Sequence, residues 1–197
     1  AATVGPAWVA APAARDEVRA LAVQALRAPV LSELWADGPP SRERSFTVAV
    51  GDAGHMIGGV LDAWRAGPSG EALVVDYKTD RVRPGEDLAA KTATEYALQQ
   101  KIYALAALRA GAGSVRVVHL YVRAEAGTVE ARWDASDMEA LEAELARVAA
   151  AVDGGGVPAP TDAPNRFTCD RCPVRGTLCT WPVEMTERLP DGAGART

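Results

Sequence analysis

The stretch "EALVVDYKTD", residues 71–80, constrains the fold more than any other part of the chain. Ala72 to Val75 form an apolar run suited to burial on both faces of a sheet. The run leads straight into Asp76 and Lys78, which lie two residues apart and therefore leave the same face of a strand. Just upstream, "HMIGGVLDAWRA" reads as a second strand and "GPSG" as the turn between the two. In a hairpin centred near Ser69, Asp62 and Asp76 are each seven residues from the turn and come opposite each other. Such neighbours hold their Cβ atoms about 4.5–5.5 Å apart. Two carboxylates that close repel, and each favours its protonated form unless positive charge lies between them. A divalent cation supplies that charge, and hard oxygen donors suit Mg²⁺ or Mn²⁺. Asp62 and Asp76 are thus candidate metal ligands, and Lys78 is placed to reach a phosphate oxygen or a metal-bound water. All of this depends on the hairpin register, because a slip of one residue sends every side chain to the other face.

The remaining pattern predicts an α/β fold. Residues 13–35 carry apolar positions at helical spacing, with a break near Pro29. "RSFTVAV" and residues 55–66 are strands joined by "GDAG". A long helix is expected from Leu88 to Ala110, ended by glycine. "SVRVVHLYVRA" and "GTVEARWDA" form another strand pair, and "SDMEALEAELARVAAAV" is a helix with an acidic first turn. The order helix, three strands, helix, two strands, helix implies a mixed central sheet flanked by helices. Residues 1–152 form the expected core, and residues 153–197 a Pro/Gly linker and a cysteine-bearing tail that packs back on it. The net charge of −5 leaves no broad basic footprint, so any nucleic-acid contact needs a local groove or neighbouring domains. No apolar run approaches the roughly 18 residues of a membrane span, and the N-terminus lacks signal-peptide order, so the expected location is the cytosol.

Three motifs taken in order, "GGVLDAW", "VVDYKTD" and "EYALQQKIYALAAL", resemble those of the PD-(D/E)xK nucleases of the RecB/AddA type, which form the C-terminal domain of helicase-nucleases. The resemblance spans roughly residues 40 to 125 and implies the restriction-endonuclease-like fold. It matches Gly59 and Asp62 to the first metal-binding strand, and Asp76, Tyr77 and Lys78 to the second. Tyr96, Gln99 and Tyr103 match a helical motif, and Glu43 in "RERSF" matches a supporting position. What it implies is a Mg²⁺- or Mn²⁺-dependent deoxyribonuclease, an exonuclease or endonuclease with exonuclease action preferred, acting on single strands without sequence preference. Asp62, Asp76 and the backbone carbonyl of Tyr77 would be metal ligands, with Lys78 and Gln99 catalytic. Implied partners are DNA, a helicase motor and a second subunit, in DNA end processing and recombinational repair. Independently of family, Tyr96, Gln99 and Tyr103 are spaced to share one helical face. The alternative is a catalytically degenerate domain that grips DNA or a partner subunit.

In RecB-type nucleases a histidine ligand precedes the first strand, and this chain departs from that pattern. Its two histidines are His55, at a strand edge, and His119, which reads as a strand residue packed against the sheet. The chain begins without an initiator Met, so the expectation is an excised domain whose histidine-bearing segment lies upstream of Ala1. Cys169, Cys172 and Cys179 are candidate cluster or zinc ligands, and three thiols are one short of a four-ligand set. Relatives of the AddB type hold a [4Fe–4S] cluster with three such C-terminal cysteines and one upstream, which implies a cluster in the intact protein only.

Overall fold

The run from Ala72 to Val75 lies inside a strand and is buried throughout, as its composition requires. A computed structural model describes residues 12–67, 69–125 and 127–154, and in the tail residues 164, 169, 172, 174–177 and 179–186. The chain divides into two compact units, Ala1–Ala150 and Ala151–Thr197.

In the first unit, helices α1 (Pro12–Leu26) and α2 (Pro29–Leu34) precede strands β1 (Ser41–Val50), β2 (His55–Ala66) and β3 (Glu71–Lys78). Helices α3 (Leu88–Glu95) and α4 (Ala97–Arg109) follow, then β4 (Ser114–Tyr121), β5 (Gly127–Asp134), a 3-10 turn and α5 (Met138–Asp153). The strands form one sheet in the order β1-β2-β3-β4-β5. β3 and β4 are parallel and every other pair is antiparallel. A parallel pair needs a long crossover, and α3 with α4 provides it. The result is the mixed α/β sheet with flanking helices that the sequence predicts.

Each face of the sheet carries its own core. On one, Val50, Trp64, Ala72, Val74, Val115 and Val117 pack with α4 and α5. On the other, Ala63, Leu73, Val75, Val118 and Leu120 pack with α1 and α2. The expected helix over 13–35 is two helices, because Pro29, which has no amide proton to give, occupies the first turn of α2. The expected helix from Leu88 to Ala110 is also two. It breaks at Tyr96, whose φ of −129° leaves the helical range.

The hairpin of β2 and β3 pairs Ala66 with Ala72, Arg65 with Leu73, Trp64 with Val74 and Ala63 with Val75, a register centred on Ser69. One step further the same register would bring Asp62 opposite Asp76, and there the ladder stops. The pairing of β1 with β2 is interrupted at the same level. Arg42 pairs with Ala63 and Arg44 with Leu61, but Glu43 and Asp62 between them do not pair. Glu43 has φ 49°, a left-handed conformation uncommon outside glycine, asparagine and aspartate. Side-chain alternation changes phase here: Leu61 and Trp64 both enter the α4-side core, although a regular strand would send them to opposite faces. The sheet is therefore broken locally on both sides of Asp62, toward Glu43 and toward Asp76.

Phe46 seals the neighbouring stretch. A Cβ added at Gly59 would lie 2.7 Å from Phe46 Cζ, and Phe46 packs edge-on against Tyr103 with ring centroids 6.0 Å apart. Gly59→Ala should therefore destabilise the protein by about 1–3 kcal/mol through overpacking. Urea unfolding measures this, and a change below about 0.5 kcal/mol, the size of an ordinary surface substitution, would contradict the packing described.

Candidate active site

Strand alternation sends Asp76 and Lys78 toward α3 and α4, where both are almost fully buried. Lys78 Nζ lies 2.7 Å from Asp76 Oδ2. It donates to Gln99 Oε1 at 2.6 Å and sits 3.7 Å from the centroid of the Tyr96 ring. An ammonium has three N–H groups, and these three neighbours surround it. Gln99 is held in turn, because its Nε2 donates to Tyr103 Oη at 2.8 Å and approaches Asp76 Oδ1 at 3.4 Å. The Tyr103 hydroxyl proton is shared between Asp76 Oδ1 at 3.2 Å and the Val60 carbonyl at 3.1 Å. Burial, followed by the charge of Asp76, pushes the Tyr103 hydroxyl pKa well up, so it remains a donor. The break at Tyr96 has its cause here: the Tyr96 hydroxyl donates to Asp80 Oδ2 at 2.9 Å while its ring lies against Lys78.

Asp62 approaches from the gap in the sheet. Its Oδ2 accepts the Tyr77 amide proton at 2.9 Å, replacing the backbone bond the ladder would have made. Burial raises its pKa most. The Tyr77 hydrogen bond opposes that, and the nearby charges of Asp76 and Glu43 raise it further. Asp62 and Asp76 thus lie near enough to repel, beside one buried cation, Lys78. The donors fit a divalent metal. Asp76 Oδ2 is buried, and its close partner is the Lys78 ammonium at 2.7 Å. Hard carboxylate oxygens match Mg²⁺ or Mn²⁺.

The structure thus brings Asp76, Lys78, Tyr96, Gln99 and Tyr103 into one connected set, with Asp62 bonded to the backbone next to it. Glu43 faces Asp62 and lines a cleft with it and Tyr77, on the side away from Asp76. His55 begins β2, far along the strand from Asp62. His119 is a fully buried strand residue, as expected, but parallel pairing sets it beside Asp76. Its ring meets Tyr96 edge-on at 5.3 Å, and neither ring nitrogen has a hydrogen-bond partner. Sequence reading passed over Asp80 as an anchor for Tyr96. Its place two residues after Lys78, continuing the alternation of Asp76 and Lys78, was the available signal.

The cysteines belong to the second unit and are free thiols. Cys169 is buried, and its carbonyl accepts the Cys172 amide proton at 3.0 Å, while the Cys179 amide donates to the Val174 carbonyl at 3.0 Å. Among the described residues, no group of three or more His, Cys, Asp or Glu side chains is arranged to hold a metal ion. No described helix is long and apolar enough to cross a membrane.

A family model described as "PD-(D/E)XK nuclease superfamily" matches residues 5–179. No curated protein matches the chain. Among solved structures, one titled "Crystal structure of SSO0001" is 18% identical, with 85% of this chain and 69% of that chain covered and a TM-score of 0.43.

His119 makes stability depend on pH. Burial, then the charge of Lys78, lowers its pKa from 6.5 to about 4. Between those values the unfolded chain binds a proton that the folded chain refuses. The stabilisation is therefore complete above about pH 6.5 and is lost as the pH falls toward 4. Urea unfolding of the wild type and His119→Leu across this range should show the wild type losing more stability on acidification. Parallel pH profiles would contradict the assignment.

Proposed function

Because the chain belongs to the PD-(D/E)XK nuclease superfamily, we propose that it is a metal-dependent deoxyribonuclease that hydrolyses phosphodiester bonds of single-stranded DNA. The observation that carries this reading is the buried Asp76–Lys78 pair, held by Gln99 and Tyr103, with Asp62 alongside. Packing alone gives no reason to place a carboxylate and an ammonium in so apolar a strand. We assign Asp62, Asp76 and the carbonyl of Tyr77 as ligands for Mg²⁺ or Mn²⁺. Such an ion, when bound, supplies Lewis acidity and lowers the pKa of a bound water.

The chain's own groups do the rest. Tyr103 and Gln99 fix the orientation of Asp76, because both approach Oδ1 while Oδ2 faces the Lys78 ammonium. Lys78 holds a positive charge where negative charge builds on the phosphoryl group, and electrostatic stabilisation of that kind is a large part of catalysis. Gln99 and the Tyr96 face pre-orient the ammonium, so little reorganisation is needed. Asp80 acts through Tyr96 as a positioning residue.

The wider setting is also part of the proposal. Residues 1–152 act as the nuclease core and 153–197 as linker and tail, in a cytosolic helicase-nuclease that trims DNA ends as an exonuclease. Cys169, Cys172 and Cys179 are the candidate ligands of a [4Fe–4S] or zinc site, which would have to draw them together, because no three such side chains are arranged around a metal among the described residues. The motif order around Asp62, Asp76 and Gln99 supports this setting.

Asp76→Asn preserves the shape of the side chain and Lys78→Ala removes the ammonium. Each should lower Mg²⁺-dependent cleavage of single-stranded DNA by at least about 100-fold while leaving a folded protein. Gel assays with circular dichroism as the folding control measure this, and cleavage within threefold of the wild type would overturn the assignment.

A further inference from the structure

Asp62 also borders a second feature, on the face away from Lys78. It is a cleft of about 620 Å³ bordered by Trp35, Pro40, Arg42, Glu43, Asp62 and Tyr77, within the size range of small-ligand sites. Among the described residues, the large apolar side chains left exposed include two aromatics, Trp35 at 49% and Tyr77 at 37%, and both line this cleft. Exposed aromatic rings gathered at one place mark a surface that binds something.

Arg42 owes its place here to the break in the sheet. Two residues apart in a regular strand, Arg42 and Arg44 would share a face. The left-handed Glu43 between them separates the two: Arg44 lies over Trp64 at 5.3 Å on the α4 side, and Arg42 borders the cleft. Many described arginines have acidic partners, such as Arg65 with Asp37, Arg109 with Glu142, Arg116 with Glu33 and Arg123 with Glu17. Arg42 is exposed and makes no ion pair or side-chain hydrogen bond among the described residues.

We infer that this cleft is a nucleobase subsite, in which Trp35 and Tyr77 stack on one base of a single-stranded DNA substrate while Arg42 takes the phosphate flanking it. The charges choose which part of the nucleotide enters. Glu43 borders the cleft and repels phosphate, so the uncharged base enters and the phosphate stays outside with Arg42. Stacking on aromatic faces is tolerant of sequence, because every base has a π-face. Asp62 borders this cleft and also lies beside Asp76, so one strand can engage both. A paired duplex cannot offer an unstacked base, so the cleft selects single strands. The inference rests on the nuclease reading above, whose substrate it specifies.

Fluorescence anisotropy with the full chain tests it, using a labelled oligothymidylate of about 12 nucleotides, a length within the usual footprint of single-strand grooves, with Ca²⁺ in place of Mg²⁺ to prevent cutting. A second probe has the same phosphates but abasic sugars. The wild type should bind the thymidine strand more tightly than the abasic one. Trp35→Ala should weaken thymidine binding about fivefold or more and erase that difference, whereas Trp35→Phe retains it. Arg42→Ala should weaken both probes alike. Trp35→Ala binding thymidine within twofold of a wild type that binds and cleaves DNA overturns the subsite and leaves the nuclease reading intact. A wild type that neither binds nor cleaves either strand overturns both.

Discussion

A carboxylate and an ammonium share the interior of this sheet, and the surrounding structure is arranged to keep them there. Taking Asp76 and Lys78 out of water costs several kcal/mol per ion, which their mutual attraction offsets only with good geometry and further hydrogen bonds. The fold supplies those from three elements. β3 carries both residues on one face, α4 brings Gln99 and Tyr103 to them, and the kink at Tyr96 lays a ring against the ammonium. A pair so constrained is a poor device for stability, since an apolar pair of the same volume would serve as well or better. Its value lies in holding charge ready at a fixed place.

The break in the sheet at Glu43 and Asp62 performs the complementary task. An unbroken ladder would occupy the Tyr77 amide with backbone and keep β2 in phase. With the ladder interrupted, the Asp62 carboxylate takes that amide and enters the gap next to Asp76. Glu43 bears the strain in its left-handed backbone, a conformation that costs on the order of 1–3 kcal/mol and concentrates at functional sites. The same distortion turns Arg42 to the far face. One local irregularity therefore brings a carboxylate next to Asp76 on one side and builds a cleft on the other.

Much of this was legible in the sequence, and the parts that were not share a cause. Equal spacing of Asp62 and Asp76 about Ser69 gives the hairpin register, because a short turn leaves the pairing little freedom. The i, i+4 spacing of Gln99 and Tyr103 places both over Asp76 for a similarly local reason. The break at Tyr96 was hidden, because its cause is a contact with Asp80 and Lys78 across the crossover, while the local sequence is helical throughout. His119 read as an ordinary strand residue. Its place beside Asp76 depends on the parallel register of β3 and β4, which no short turn fixes. The phase change at Asp62 was equally invisible, since nothing in "RERSF" announces a left-handed glutamate. What escaped the sequence was set by distant pairing; what it revealed was set within one turn or one strand.

The central claim is that Asp62 and Asp76 together hold a divalent cation. Calorimetric titration of the full chain with Mn²⁺ tests this without recourse to catalysis. Binding by the wild type, weakened at least about tenfold by Asp62→Asn and again by Asp76→Asn in otherwise folded proteins, is the expected result. Unchanged Mn²⁺ affinity in both variants would contradict the account.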